Sequence, residues 1–378
     1  MPWPPLAMPS RSSRRTEATR RCLLVAGVLL LAAQLSRAQQ APRLYISDET
    51  GGAIVVIDPA SAKVVNRIAV GKRPRGIRLS RDGKRLLVAL SGSPIAGPGV
   101  DESKLPPPDR SADGIGVVDL ATGKLTRTYR SGPDPESFDI SPDDRTLYAS
   151  NEDAAEMTAL DLVTGKIRAT VKVGEEPEGV TVRPDGREVY VTCEADNLIV
   201  AVDTAKLRVA ARIEVGPRPR AIVFAPDGGT AFATAENGGS VDVIDVRRHA
   251  LLTSIKIPAI EGAPTAPRPM GAVMSADGKQ VYVSLGRAKS IAVIDVATRR
   301  LMRTIDDVGT RPWGIAISPD GRKLFTANGP SGDVSIVDVA SGKVDARIAV
   351  GGSPWGIVIS PPGSIHEGFI QKGSGRFK

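Results

Sequence analysis

The chain has 378 residues, enough for one large domain or two ordinary ones, and its 39 Gly and 30 Pro with only 4% aromatics favour short strands and turns over helices. The formal charge of +8 at pH 7 is concentrated at the two ends: six Arg and one Glu fall in residues 1–38, and Lys372, Arg376 and Lys378 stand against Glu367 near the other end. The body between them is close to neutral, so the charge is no footprint of nucleic-acid binding.

Residues 1–38 read as a signal peptide. Arg11, Arg14, Arg15, Arg20 and Arg21 precede an apolar run from Leu23 to Ala33, too short to span a bilayer, and Ser36-Arg37-Ala38 offers a cleavage site before Gln39. The expected product is exported to the periplasm or secreted, with no membrane span once the leader is gone. Two Arg pairs leave both the general and the twin-Arg routes open. Cys22 belongs to the leader, which leaves Cys193 alone and excludes an internal disulfide. There is no Cys-x-x-Cys-His for covalent haem. His249 and His366 are the only histidines, which excludes a His-rich copper or haem site.

From residue 43 to 360 the chain repeats itself. The Asp closing each "V-x-V-I-D" segment recurs at Asp58, Asp119, Asp161, Asp203, Asp245, Asp295 and Asp338, and the Pro of "V-G-x-x-P-x-G" tracks it at Pro74, Pro135, Pro177, Pro219, Pro269, Pro312 and Pro354. A period near 42 residues is that of a propeller blade with four strands, A (innermost) to D. One unit shows the grammar. Strand A is expected from Gly179 to Arg183, a Pro184-Asp185-Gly186 turn follows, then strand B from Glu188 to Thr192, C from Leu198 to Asp203 and D from Val209 to Val215. The repeating region opens on a strand B at Leu44 and ends on a strand A at Pro354. The last strand must therefore complete the first blade, giving a closed seven-bladed β-propeller, an all-β fold, with residues 361–378 as a flexible tail. A monomer is expected. The seven aspartates read as turn-capping residues, and Cys193 as a small residue at a strand end.

A–B and C–D turns are short and uniform. The insertions lie in a B–C loop, Ser91 to Gly114, and a D–A loop, Pro258 to Pro269, which emerge on one face around the channel mouth. The charges near the strand A starts fall on that face too. Asp134, Glu136, Glu176 and Glu178, with Glu152 and Glu194 at neighbouring B-strand ends, come from adjacent blades. Arg73, Arg75, Arg218, Arg220, Arg268 and Arg311 hold the matching positions elsewhere, and Trp313 and Trp355 follow. Grouped carboxylates suit a hard cation such as Ca²⁺ or a basic partner; Arg with Trp suits an anionic or planar ligand. The alternative is a rim of solvated, mutually compensating charges.

"Y-V-T" at Tyr190–Thr192, with "V-I-D" and "P-D-G-R" in the same unit, resembles the YVTN-type propeller repeat. More narrowly, "S-G-P-D-P-E" (131–136), "N-E-D" (151–153), "G-E-E-P-E-G-V" (174–180), "G-P-R-P-R" (216–220) and the two "P-W-G" segments (312–314, 354–356) resemble the propeller family associated with pyrroloquinoline-quinone-dependent catabolism. That resemblance implies an exported, non-catalytic accessory module of quinone-dependent alcohol oxidation, with a periplasmic dehydrogenase as partner. Two alternatives stand beside it: a lactonase-type hydrolase using the mouth carboxylates and arginines, by analogy of fold, and a periplasmic metal-handling protein.

Overall fold

The computed structural model describes residues 41–95, 101 and 104–361. The expected leader and almost all of the expected tail lie outside the described residues. Twenty-eight strands form seven four-stranded antiparallel sheets, and no helix longer than a single 3₁₀ turn occurs among the described residues. The closure is the one the repeat predicts. Pro354–Ile359 pairs with Leu44–Asp48 and becomes the innermost strand of a blade completed by Ala53–Asp58 and Lys63–Ala69. That sheet is blade 1 below, and the others follow in chain order. Observed strands differ from the expected ones by a residue or two at their ends: blade 4 runs Pro177–Val182, Glu188–Cys193, Leu198–Asp203 and Arg208–Glu214.

The core is divided rather than central. Seven apolar clusters occur, one between each pair of neighbouring blades. Strand alternation produces this: Leu44 and Ile46 pack toward blade 7, while Tyr45 between them packs toward blade 2. Outermost strands face water on one side and carry Lys and Arg, which discourages pairing with another chain. Every one of the seven repeat aspartates accepts a backbone N–H two or three residues on, as at Asp161 to Thr164 (2.7 Å) and Asp203 to Lys206 (2.8 Å). Cys193 is fully buried, and its thiol is pushed up to about 12 by that burial and by nearby Asp196.

A second device couples the blades. The strand B hydroxyls of Ser47, Ser150, Thr192, Thr234 and Ser284 each donate to a main-chain carbonyl on, or two residues before, the innermost strand of the next blade, at 2.6–2.8 Å: Arg75, Glu178, Arg220, Met270 and Trp313. Ala89 and Ala327 hold the position in the remaining two blades. The same approach explains the Gly that follows many of these acceptor residues. A Cβ on Gly179 would lie 2.1 Å from the Arg220 carbonyl oxygen, and one on Gly271 2.3 Å from that of Trp313.

Candidate active site at the channel mouth

Each innermost strand enters the ring through its repeat Pro. In five blades the residue before that Pro, Arg73, Asp134, Glu176, Arg218 or Arg311, is left-handed (φ 40–59°), a conformation that non-Gly residues seldom adopt. Immediately after the Pro, five blades carry a bulge. In blade 4 the register passes from Pro177 opposite Cys193 to Val180 opposite Val191, three residues against two. A bulge re-aims the side chain it carries. In these five blades the residue after the Pro is thereby aimed at the channel mouth, and Arg75 and Met270 hold the same sequence position in the other two, so the ring reads Trp355, Arg75, Glu136, Glu178, Arg220, Met270 and Trp313.

Blades 2 to 5 thus contribute a run of Arg, Glu, Glu and Arg. Above them stand the glutamates at strand B ends, Glu49, Glu152, Glu194 and Glu236. Arg75 pairs with Glu136, with Glu49 (3.1 Å) and with Glu152 (3.8 Å). Arg220 pairs with Glu178, Glu194 and Glu236, the last at 2.8 Å, and Arg218 reaches Glu194 at 2.7 Å. Glu136 and Glu236 are 4% exposed. Burial alone would lower the Arg220 pKa, but Glu178 and Glu236 outweigh it and raise it above the ordinary arginine range. Burial would likewise raise Glu236, but Arg220 and Arg218 win and lower it. Glu178 and Glu152 go the other way. Burial lifts both above the usual carboxylate range, the Glu152 charge adds to the rise of Glu178, and Asp134 and Asp153 add to that of Glu152.

Blades 6, 7 and 1 complete the ring with Met270, Trp313 and Trp355. The two indoles stack with centroids 5.8 Å apart and planes 28° from parallel. Arg311 lies 4.4 Å from the Trp313 ring centre and Arg220 5.3 Å from it. Below the mouth a cavity of about 350 Å³ runs along the innermost strands, lined by Glu178, Arg220, Met270, Trp313 and Trp355 and, deeper, by Asp139. That volume falls within the range of small-molecule sites.

The structure brings together most of the charges picked from the sequence, but not as a solvated rim. Asp134, Glu136, Glu194 and Arg220 are buried, and Arg73, Arg75 and Glu178 nearly so. Glu176 stays outside the network: it is exposed and makes no ion pair among the described residues. Arg218 and Arg268 are half-exposed, each reaching a buried glutamate. The Asp134, Glu136 and Glu152 carboxylates converge closely enough to hold a cation, yet the Arg75 guanidinium already lies against Glu136 and Glu152, and the Ser91 hydroxyl donates to Asp134. Sequence reasoning missed Glu49, Glu236 and Met270. The repeat could have supplied them: Glu236 follows "F-A-T-A" as Glu194 follows "Y-V-T-C", and Met270 follows its Pro as Trp313 does. The long B–C loop is fastened to this site through its ends, Asp113 accepting from the Asp134 backbone N–H (3.2 Å) and Arg110 pairing with Asp153.

Fold and site together define a seven-bladed propeller whose ionisable groups are gathered at one mouth of its channel. The model of the Choice-of-anchor I domain matches residues 30–218, half of the sequence, and the chain belongs to that family. The model described as lactonase, 7-bladed beta-propeller, matches residues 180–350. Among solved structures, the periplasmic gluconolactonase PpgL of Pseudomonas aeruginosa is similar with a TM-score of 0.67 at 19% identity, over 85% of this chain and 99% of that one. A Bacteroides uniformis protein to which 6-phosphogluconolactonase activity has been ascribed gives 0.67 at 17% identity, over 85% and 100%. A curated relative, antigen Lp49 of Leptospira interrogans, is 31% identical over 109 residues, 29% of this chain, and the chain spans only 23% of its length. These matches overturn the expectation of a non-catalytic accessory module of quinone-dependent oxidation and favour the lactonase alternative. The resemblance noted in the sequence holds at the level of the seven-bladed propeller.

Proposed function

We propose that this chain is a lactonase-type hydrolase whose active site is the channel mouth. The observation that carries the reading is the pair Glu152 and Glu178: both are lifted above the usual carboxylate range, Glu152 helps to lift Glu178, and they are flanked by Arg75 and Arg220 and faced across the mouth by stacked tryptophans. Two neighbouring carboxyls, both lifted by burial and one lifted further by the other's charge, favour a state with one proton between them. The ionised member takes a proton from water as its oxygen bonds to the lactone carbonyl carbon. The arginines stabilise the oxyanion that forms there. As the ring C–O bond breaks, the protonated member delivers its proton to the departing alkoxide, and the product is a hydroxy acid. Trp313 and Trp355 offer a flat apolar platform for the face of the ring. The lactonase match and the gluconolactonase-like neighbours support this reading. The leader read in residues 1–38 supports an enzyme that acts outside the cytoplasm, and intact-mass analysis of an extract tests that part by asking whether the product begins near Gln39.

Proton release from δ-gluconolactone, measured in a pH-stat against the uncatalysed rate, tests the activity. Wild type is expected to exceed background. Glu178→Gln is expected to lose about 10²–10⁴-fold in kcat, the usual worth of a positioned acid or base, with Tm nearly unchanged. No turnover of any sugar-derived lactone by the wild type refutes the proposal.

A further inference from the structure

Arg311 differs from the other arginines of the mouth. Arg73, Arg75, Arg218, Arg220 and Arg268 each pair with a carboxylate, within 2.7 to 3.5 Å. Among the described residues no carboxylate lies within ion-pair distance of Arg311, and no protein acceptor takes a hydrogen bond from its guanidinium. The side chain is half-buried, its backbone is left-handed (φ 53°), and its guanidinium carbon sits over Trp313, 4.4 Å from the ring centre. Glu236 attracts it, but that carboxylate is already held by Arg218, Arg220 and Arg268. Burial, with Arg287, Arg220 and Arg218 nearby, pushes Arg311 below the ordinary arginine range. A half-buried cation among like charges is costly, and an anion from outside relieves that cost.

We propose that Arg311 is a specificity-determining residue that binds an anionic substituent, a carboxylate or a phosphate, on the molecule held at the channel mouth; that the molecule is a lactone rests on the hydrolase reading above. The guanidinium fork matches both oxyanions in two-point geometry. The contact with Trp313 holds the guanidinium beside the mouth without using any of its N–H donors on a protein acceptor. Because Arg311 and Trp313 flank the same Pro, the substituent is gripped beside the ring platform while the reacting carbonyl lies toward the carboxylate arc.

The test separates the two claims. Calorimetric titration with inorganic phosphate and with acetate reads the anion site without any turnover. Wild type is expected to bind at least one of them, Arg311→Gln to weaken that binding tenfold or more, Arg311→Lys to recover part of it, and Lys124→Ala, on the opposite face, to bind as wild type does. Kinetics then compare δ-gluconolactone, its 6-phosphate and a glucarolactone bearing a free carboxylate. Arg311→Gln is expected to lower kcat/KM about 10–100-fold for a charged lactone and less than twofold for the neutral one, and the charged substrate with the larger loss identifies the substituent. The inference is overturned if wild type binds neither anion, if Arg311→Gln with an unchanged Tm binds as well as wild type, or if all three lactones lose equally. Should wild type hydrolyse no lactone, the hydrolase reading falls and the calorimetry alone decides the anion site.

Discussion

The two arcs of the channel mouth occupy equivalent backbone positions and obey opposite physics. In blades 2 to 5 the residue after the repeat Pro is Arg75, Glu136, Glu178 or Arg220, and its energy is settled by Coulomb attraction against desolvation. In blades 6, 7 and 1 it is Met270, Trp313 or Trp355, and contact area and stacking decide. One Pro-led backbone, bulged in five of the seven blades, serves both. The difference teaches that the repeat fixes where side chains are delivered, while departures from the repeat at that one position create an amphipathic ring able to grip a ligand polar on one side and flat and apolar on the other.

The charged arc is the more fragile of the two. Arg220→Met leaves Glu178 without its cation and takes from Glu194 and Glu236 a partner they share with Arg218, and breaking such a network costs about 3–5 kcal/mol. Without Arg220 the buried Glu178 carboxyl rises further above its unfolded range, so the folded protein binds more protons and its stability falls as pH rises from the ordinary carboxylate range. Chemical denaturation is therefore expected to show a large deficit at pH 7 that shrinks toward pH 4; a deficit independent of pH would mean that the arc is held by packing. The charged arc also sets the pH dependence of turnover. Glu152 helps to raise Glu178, which therefore keeps its proton as the general acid, so Glu152→Gln should move the alkaline limb of the kcat/KM profile to lower pH as well as lowering the plateau. A limb that stays in place uncouples the two groups.

Trp355→Ala should act on binding rather than chemistry, raising KM about tenfold with kcat within twofold, in keeping with about 0.5–1.5 kcal/mol for an aromatic contact beyond its area. Equal losses in kcat would assign the aromatic arc to the transition state. The smallest effect is expected where the arcs share a device. Thr192→Val removes the hydroxyl that holds the Arg220 carbonyl and Ser284→Ala the one that holds that of Trp313, each costing about 1 kcal/mol. Calorimetric Tm should fall by roughly 2 °C in both, because a large domain shifts little per kcal/mol. Different falls would show that the two arcs load their backbones unequally.

How much of this was legible beforehand differs between scaffold and site. Seven Asp-ending strands, seven Pro-led strands and the strand order at the two ends specify blade number and closure, because four short strands cannot bury both faces of a sheet without neighbours on either side. The same spacing brings Glu136, Glu178, Arg75, Arg220, Trp313 and Trp355 to one mouth. It does not disclose that Glu176, two residues before Glu178, turns to solvent. That outcome follows from the left-handed turn before Pro177 and the bulge after it, which aim neighbouring side chains in different directions. Nor does a linear pattern announce Glu236 as a partner of Arg220, since its weight comes from convergence of strands 16 residues apart.

By itself, then, the sequence determined the fold, since period, turn chemistry and alternating apolar residues are local signals that repetition makes redundant. Only the tertiary structure decided that the mouth charges are buried and interlocked, that two carboxyls are lifted above their usual range, and that Arg311 is left without a carboxylate. Desolvation and Coulomb attraction depend on distances across the ring, between residues as far apart in the chain as Arg75 and Glu136, and no local pattern encodes those distances.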